Sequence, residues 1–224
     1  MKKLIIQILL AGLIIFLGYQ CYKSIDTPLK FTEIKKQRYD KTIQRLKDIR
    51  TAQEAFKSVY GRYTASFDTL INFVKYDSVK VVRSIGSLTD EQIEAGMTEA
   101  QAIKEGLILR DTTKVNTLTS LKNASKEKRE DFLLDYSIDD IRYVPFTKRQ
   151  HQFQMGTNVI YTDSGIEVPV FEARVSNMII FENLPEEYHE YVLQDNGEAK
   201  RLNKYPGLKV GDLQEANNNV GNWQ

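Results

Sequence analysis

The most constraining feature of the sequence is a stretch near its start that carries no formal charge. It runs from Leu4 to Tyr22, nineteen residues between Lys3 and Lys23. As a helix, at about 1.5 Å per residue, it would be about 28 Å long, which is close to the hydrocarbon thickness of a bilayer. The stretch predicts a transmembrane anchor over residues 1–22. Its lipid-facing side chains would be Leu4, Ile5, Ile6, Leu9, Leu10, Leu13, Ile14, Ile15, Phe16 and Leu17.

A cleaved secretory signal is the alternative interpretation of the same residues. Lys2 and Lys3 would form its positive region, and Leu4–Leu17 would form its apolar region. A processing site prefers small side chains at its last and third-last positions, and Gly18-Tyr19-Gln20 supplies only one of them. The sequence therefore favours an anchor that is retained.

A long amphipathic helix is predicted directly after the anchor, over residues 23–61. Neither Pro nor Gly occurs from Phe31 to Tyr60, and Gly61 would cap the end of the helix. Lys23–Tyr60 contains ten Lys and Arg against five Asp and Glu, an excess that lipid headgroups explain without a nucleic-acid partner. Apolar residues recur at helical spacing and form a packing or assembly face: Tyr39, Ile43, Leu46, Ile49, Phe56 and Tyr60.

The end of this helix and the residues that follow it resemble a known family. The segments concerned are Leu46–Phe56 (LKDIRTAQEAF), Tyr60–Tyr63 (YGRY) and Phe67–Leu70 (FDTL). Together they resemble the neck of type IV pilins and type II secretion pseudopilins. The resemblance implies a membrane helix that continues into a soluble helix, a Gly-Arg-Tyr turn, a short helix and an antiparallel sheet. It also implies an envelope protein that assembles with other protein subunits.

The N-terminal residues differ from the pattern of that family. Family members are processed after a Gly that precedes an aromatic residue or Met, with a Glu five residues into the mature chain. The nearest candidate, Gly12-Leu13, is followed by Leu17 where the Glu would stand. This difference favours a second interpretation, a bitopic scaffold or adaptor of an envelope complex that does not polymerise. Both interpretations remain open at the level of sequence.

Residues 62–140 are predicted to form a helical or mixed insertion. Ser66 would cap a short helix that ends at Phe73, and two consecutive capping boxes, Thr89-x-x-Gln92 and Thr98-x-x-Gln101, predict two further helices. The second of these would end at Gly106. The remaining predicted elements are a strand Val79–Val82, an extended segment Leu107–Thr119 and a helix Ser125–Asp135.

The composition changes near Ile141 to short runs of β-branched and aromatic residues, so residues 141–204 are predicted to be mostly antiparallel sheet. Asp163-Ser164-Gly165 and Asn196-Gly197 predict hairpins, and Pro169 predicts an edge or a bulge. Residues 205–224 are predicted to be a loop-like tail. The expected strands are Ile141–Phe146, His151–Met155, Val159–Thr162, Ile166–Val175, Met178–Phe181, Tyr191–Leu193 and Ala199–Leu202. The whole pattern predicts an α+β fold.

No arrangement of residues in the sequence indicates catalysis or ligand binding. His151 and His189 lack a second type of metal ligand at zinc-site spacing. Ser164 lacks the Gly-x-Ser-x-Gly elbow of a nucleophile, and the adjacent acidic pairs Asp139-Asp140 and Glu186-Glu187 are not part of a larger ligand pattern. We therefore predict a protein that is not an enzyme and has no cofactor or metal. An anchored hydrolase with dispersed catalytic residues is the alternative.

The predicted location is the cell inner membrane, with a cytoplasmic N-terminus and the soluble part outside the cytoplasm. Lys2 and Lys3 favour this orientation and four lysines within residues 23–36 oppose it, so the signal-like start and the pilin-like layout decide. The expected partners are membrane lipid and other envelope subunits, with a homo-oligomer as one option and no nucleic acid. Cys21, the only cysteine, excludes an intrachain disulfide and is expected to be a buried thiol.

Overall fold

A computed structural model describes residues 2–85, 87–94, 96–127, 132–133, 135–162 and 165–224. The fold is α+β, with a long N-terminal helix and antiparallel sheets, as the sequence predicts. The chain divides into two compact units, a first one made of Met1–Lys47 with Arg142–Gln224 and a second one made of Asp48–Ile141. The elements are α1 (Lys2–Tyr60), α2 (Phe67–Tyr76), β1 (Ser78–Ile85), α3 (Asp90–Glu94), α4 (Glu99–Lys104), β2 (Leu109–Asn116), α5 (Thr117–Glu127), a 3₁₀ turn (Ile138–Arg142), β3 (Gln154–Tyr161), β4 (Glu167–Ser176), α6 (Asn177–Ile180), a 3₁₀ turn (Glu186–Tyr188), α7 (His189–Arg201) and β5 (Gly207–Gly211).

Helix α1 is continuous through the predicted anchor and the predicted stalk, and it passes Pro28 without ending. Its predicted C-terminal cap is confirmed, because Gly61 has φ of 72° and donates its N–H to the carbonyl of Lys57 at 2.8 Å. Judged on the described residues alone, no helix combines the length and the apolar character that a membrane crossing requires.

The second unit confirms the short helix that the sequence predicts after the neck. Helix α2 begins after Ser66, whose hydroxyl accepts a hydrogen bond from the N–H of Thr69 at 3.3 Å. The helix extends to Tyr76, three residues beyond the predicted end at Phe73. Its buried side chains lie on one face and are Phe67, Leu70, Ile71, Phe73 and Val74. Strand β1 then pairs antiparallel with β2, from Ser78 opposite Asn116 to Ile85 opposite Leu109.

Both predicted capping boxes lie at the start of a helix. Thr98 accepts from the N–H of Gln101 and donates its own N–H to the Gln101 side chain at 2.9 Å, which begins α4. The N–H of Thr89 likewise donates to the Gln92 side chain at 2.9 Å, which begins α3. In both cases the side chains satisfy backbone donors that a helix leaves without partners.

The prediction for the residues after α4 is partly wrong. The extended segment ends at Asn116 rather than at Thr119, and α5 begins at Thr117, eight residues before the predicted start at Ser125. The reason is a cap that the sequence analysis missed, since the Asn116 side chain accepts from the N–H of Thr119 at 3.4 Å. Of the predicted helix Ser125–Asp135, residues 125–127 belong to α5, residues 128–131 and 134 lie outside the described residues, and residues 132, 133 and 135 form turns or a bend, so the predicted end at Asp135 is wrong.

The first unit contains a three-stranded antiparallel sheet in the order β3-β4-β5. Only Gln154 and Met155 of the predicted strand His151–Met155 lie in β3, which continues through most of the predicted strand Val159–Thr162 and ends at Tyr161. The predicted pairing of β3 with β4 is confirmed. Asp163 and Ser164 of the predicted turn lie outside the described residues. Pro169 lies opposite Val159 of β3, whereas β5 pairs only with Glu172–Ser176. Strand β4 is therefore an edge at Pro169, as predicted, because β5 does not extend that far.

Four of the predicted strands are wrong. Met178–Phe181 forms the rest of the single turn α6 and its C-cap. Helix α7 and its C-cap contain both Tyr191–Leu193 and Ala199–Leu202. The predicted hairpin residues Asn196-Gly197 also lie within α7. Ile141–Phe146 is a 3₁₀ turn followed by further turns, with one isolated bridge between Tyr143 and Gln152. These runs are too short for their apolar residues to distinguish a strand from a helix. The hairpin prediction at Asn196-Gly197 is wrong because a helix can include one Gly at a cost of about 1 kcal/mol.

The predicted loop-like tail contains β5, and its last residues pair with that strand through backbone and side-chain groups. Lys209 donates its N–H to the Asn222 side chain at 3.0 Å, and the N–H of Asn222 donates to the Lys209 carbonyl at 3.1 Å. The Asn222 amide also donates to the Gly207 carbonyl at 2.9 Å. These three hydrogen bonds hold the tail, including the neighbouring Trp223, along β5.

Candidate functional site

Two clefts of the first unit meet at one group of polar side chains. We call Lys35 and Tyr39 of α1, Asn177 of α6, and Asp195 and Asn196 of α7 the central cluster. Lys35, Tyr39 and Asp195 line both a cleft of ≈ 470 Å³ and a cleft of ≈ 430 Å³. The first cleft continues along the end of α7 and β5, and the second follows α1 toward Pro28.

A chain of hydrogen bonds fixes the buried part of the central cluster. The Tyr39 hydroxyl donates to the side-chain oxygen of Asn177 at 2.7 Å, and the Asn177 amide donates to the side-chain oxygen of Asn196 at 2.9 Å. The N–H of Asn177 donates to the carbonyl of Pro206 at 3.0 Å. Asn177 and Asn196 are 3% and 8% exposed. Buried amides need such partners, so this chain holds α1, α6 and α7 together in one arrangement.

One ion pair lines both clefts. Lys35 Nζ is 2.5 Å from Asp195 Oδ2, and it is also 5.7 Å from the centre of the Tyr39 ring. Burial, reinforced by the negative charge of Asp195, raises the pKa of Tyr39 to about 12. The phenol is therefore protonated at neutral pH and serves as a hydrogen-bond donor rather than as a base.

Arg38 joins α1 to the end of α6. Its guanidinium donates to the carbonyl of Ile180 at 2.6 Å and lies 5.3 Å from the centre of the Phe146 ring. Burial lowers the pKa of Arg38 from its ordinary value. The last carbonyls of a helix have no partner within the helix, so Arg38 satisfies one of them while its planar group stacks on an aromatic ring.

Aromatic rings form the apolar wall beside the central cluster. The Phe31 ring centre is 5.9 Å from that of Phe181, 6.1 Å from that of Tyr188 and 5.3 Å from that of Tyr191. Tyr39 stacks on Phe181 at 5.6 Å. Phe31, Phe181 and Tyr188 are buried, so these rings belong to the core. Of the rings in this group, Phe31, Tyr39 and Tyr191 line the ≈ 430 Å³ cleft.

Three of the remaining candidate residues of the sequence are paired with charged neighbours. His151 Nε2 lies 2.7 Å from Glu182 Oε2, Glu187 lies 3.6 Å from Lys23 in the first unit, and Asp139 lies 2.5 Å from Lys75 in the second unit. His189 is the first residue of α7. Within the described ranges, no three His, Cys, Asp or Glu side chains are close enough together to hold a metal ion.

The residues of the predicted anchor lie along the start of α1 and are exposed. The side chains of Leu4 and Ile5 lie outside the described residues, and the other eight are between 53% and 74% exposed. They are Ile6, Leu9, Leu10, Leu13, Ile14, Ile15, Phe16 and Leu17. Cys21 is also exposed, so the expectation of a buried thiol is wrong. Exposed apolar side chains continue past the anchor to Ile25 and Leu29.

The residues of the predicted packing or assembly face of α1 differ in how deeply they are buried. Leu46, Ile49 and Phe56 are buried, whereas Tyr39 and Ile43 are half-buried. Tyr60 is exposed, although its ring lies 4.6 Å from that of Phe56 and its hydroxyl donates to Asp77 at 2.5 Å. The middle of this face is thus unavailable to a partner, and Tyr39 and Ile43 are its accessible part within the first unit.

The sequence analysis placed Tyr39 on a functional face but missed the rest of the central cluster. The basic excess that includes Lys35 indicates contact with lipid headgroups, and Asn196-Gly197 predicts a hairpin, so neither pattern points to this cluster. One signal could have found α7, namely the helical spacing of Tyr188, Val192 and Asn196, all of which are buried. No family model, curated protein or solved structure matches this chain. The resemblance to pilins and pseudopilins stays a prediction that rests on the neck residues.

Proposed function

We propose that this chain is a single-pass, membrane-anchored envelope protein of pilin-like layout that works by assembly with other protein subunits and not by catalysis. The anchor is the start of α1, and the subunit-binding surface is formed by the two clefts at the central cluster. The observation that carries the proposal is the exposed apolar surface at the start of α1.

Hydrocarbon is the environment that suits this surface. Five consecutive exposed residues, Leu13–Leu17, are apolar, and at 3.6 residues per turn they cover every side of the helix. Each such side chain gains about 1.5–3 kcal/mol when it is removed from water. One partner helix would cover a single stripe, whereas lipid surrounds the helix completely. The uncharged stretch Leu4–Tyr22 is long enough for this role.

The clefts support assembly as the work of the first unit. Their shared ion pair is accessible, since the side chains of Lys35 and Asp195 are 32% and 28% exposed. The phenol of Tyr39 is protonated and already bonded to Asn177, so it is not a catalytic base. The half-buried rings of Tyr39 and Tyr191 line the same cleft as the ion pair. Side chains that are already fixed in this way lose little entropy when they bind a complementary protein surface.

The single native cysteine allows a direct test of the anchor and its orientation. Full-length protein should stay with the membrane after alkaline carbonate extraction and should retain Met1 on N-terminal sequencing. Cys21 should react with a membrane-impermeant maleimide from the extracytoplasmic side of intact spheroplasts, with Cys21→Ser as the unlabelled control. Release by carbonate would overturn the anchor, and labelling only from the cytoplasmic side would reverse the orientation. A new terminus near Leu13 would instead indicate processing and filament assembly.

Assembly is tested separately from anchoring. A photoreactive residue at Gln194, which lines the ≈ 430 Å³ cleft, should give a defined cross-linked product in membranes, and the same residue at Glu190, which does not line it, should not. Equal products from both positions, or none, would remove the cleft as a binding surface. A hydrolytic activity that is lost when His151 and His189 are both replaced by Ala would favour the anchored hydrolase instead.

A further inference from the structure

Strand β3 has one edge that no described strand covers. The sheet order is β3-β4-β5, so β4 occupies one side of β3. In the part of the chain that the structure describes, no strand pairs with the other side of β3 between Thr157 and Tyr161. The opposite edge of the sheet differs, because β5 is joined to the tail by a bridge between Val210 and Gly221 and by Asn222.

The register identifies the backbone groups that face outward from β3. The N–H of Thr162 donates to the carbonyl of Ile166 at 3.0 Å, next to the β3–β4 pairing. Because hydrogen-bonded and non-hydrogen-bonded pairs alternate in an antiparallel ladder, Asn158 and Ile160 direct their N–H and C=O groups to β4. Thr157, Val159 and Tyr161 direct theirs outward. Three donors and three acceptors are thus available along this edge.

The edge lacks the features that usually prevent strands from pairing. Natural sheets protect exposed edges with charged side chains, Pro or bulges. Strand β3, with the sequence QMGTNVIY, contains no charged residue and no Pro, and its pairing with β4 is regular from Gln154 to Tyr161. Val159 and Tyr161 are 47% and 69% exposed on the same face of the strand. On the other face, the Asn158 amide is occupied by the Leu213 carbonyl at 2.9 Å.

We propose that this edge is a homodimer interface, in which β3 pairs antiparallel with β3 of a second copy about a two-fold axis at Val159. The two Val159 residues would then lie opposite each other, and Thr157 of each copy would lie opposite Tyr161 of the other. Aromatic and β-branched residues are favourable cross-strand partners. In an isologous contact the same surface of both copies meets, so any charge on the strand would lie near the same charge of the second copy. Strand β3 has no charged residue, so this repulsion is absent. The proposal does not depend on the membrane anchor.

Charge substitutions at Val159 test the interface. Full-length protein in detergent micelles should sediment as a dimer of this chain. Val159→Lys should weaken the dimer about tenfold or more, because two lysines would lie opposite each other. Val159→Glu should do the same, and an equimolar mixture of the two variants should restore the dimer. The control is Leu193→Lys on α7, an exposed apolar site away from the sheet (60% exposed, against 47% for Val159), which should leave the dimer unchanged.

Cross-linking provides the second measurement. In a Cys21→Ser background, Val159→Cys should be captured as a dimer by a short bifunctional thiol reagent, and Leu193→Cys should not. A monomeric wild-type protein at every soluble concentration would overturn the proposal. A dimer that persists with Val159→Lys, or that the mixture fails to restore, would also overturn it, because the copies would then meet elsewhere. Neither result would bear on whether Cys21 is labelled at a membrane.

Discussion

The two ends of helix α1 share one backbone conformation and differ in what surrounds their apolar side chains. As far as Leu29 the large apolar residues with described side chains are exposed, and from Phe31 onward a stripe of them is buried. Leu29 and Phe31 are separated by only two residues, yet Leu29 is 61% exposed and Phe31 is 5% exposed. The number of apolar faces on a helix therefore indicates what surrounds it. Apolar residues on every face indicate a surrounding solvent such as lipid, and a single stripe indicates a core.

Replacing Phe31 should produce the largest effect. Phe31→Ala would remove a ring that contacts Phe181, Tyr188 and Tyr191 and leave a cavity, so we expect the free energy of unfolding of the first unit to fall by about 3–5 kcal/mol. The matched control is Leu29→Ala on the uncovered face, for which we expect a change within about 0.5 kcal/mol. Urea unfolding of the full chain in micelles, followed by the fluorescence of Trp223, measures both. Similar losses for the two variants would contradict the contrast between the two ends.

Gln53 provides a polar test of the packed end, within the second unit. This side chain is fully buried and bonds the Thr64 backbone twice, donating to its carbonyl at 2.6 Å and accepting from its N–H at 3.1 Å. Gln53→Ala should cost about 2 kcal/mol, because it leaves two backbone groups without these partners. Amide exchange at Thr64 should accelerate about thirtyfold. The control is Gln20→Ala at an exposed position, and unchanged exchange at Thr64 would show that water replaces the Gln53 side chain.

The same contrast explains which parts of the fold could be predicted. Helix α1, the cap at Gly61, helix α2 and the box at Thr98 follow from local rules, in which a few neighbouring residues satisfy one helix end. The residues of α6 and α7 do not follow from local rules. Asn196-Gly197 has the local chemistry of a hairpin, but the Asn196 side chain bonds Asn177, nineteen residues away in sequence. Such a tertiary contact overrides local preference and is invisible in one sequence.

The candidate site could be predicted only in part, for the same reason. Tyr39 was recognised because it lies on an apolar stripe at helical spacing. Asn177, which accepts the hydrogen bond of the Tyr39 hydroxyl, is 138 residues further along the chain, and Asp195 lies further still. Local patterns give no register for contacts at that separation. The ion pair of Lys35 with Asp195 was missed because a lysine on a charged helix face is usually solvated.

The smallest expected effect concerns Tyr39 and depends on pH. At pH 7, Tyr39→Phe should lower the free energy of unfolding by about 1 kcal/mol, because the Asn177 oxygen loses its donor. The fold raises the pKa of Tyr39 from 10.0 to about 12, so between these values the unfolded chain loses a proton that the folded chain retains, and stability falls as the pH rises. The phenylalanine variant lacks this proton, so its deficit relative to wild type should shrink from pH 10 to pH 12 in urea unfolding followed by Trp223 fluorescence.

Tyr19→Phe, at an exposed position, should show no such convergence. If the Tyr39→Phe deficit stayed constant across this range, the hydroxyl would not be held in a buried, protonated state, and the packed end of α1 would resemble the uncovered end at this position.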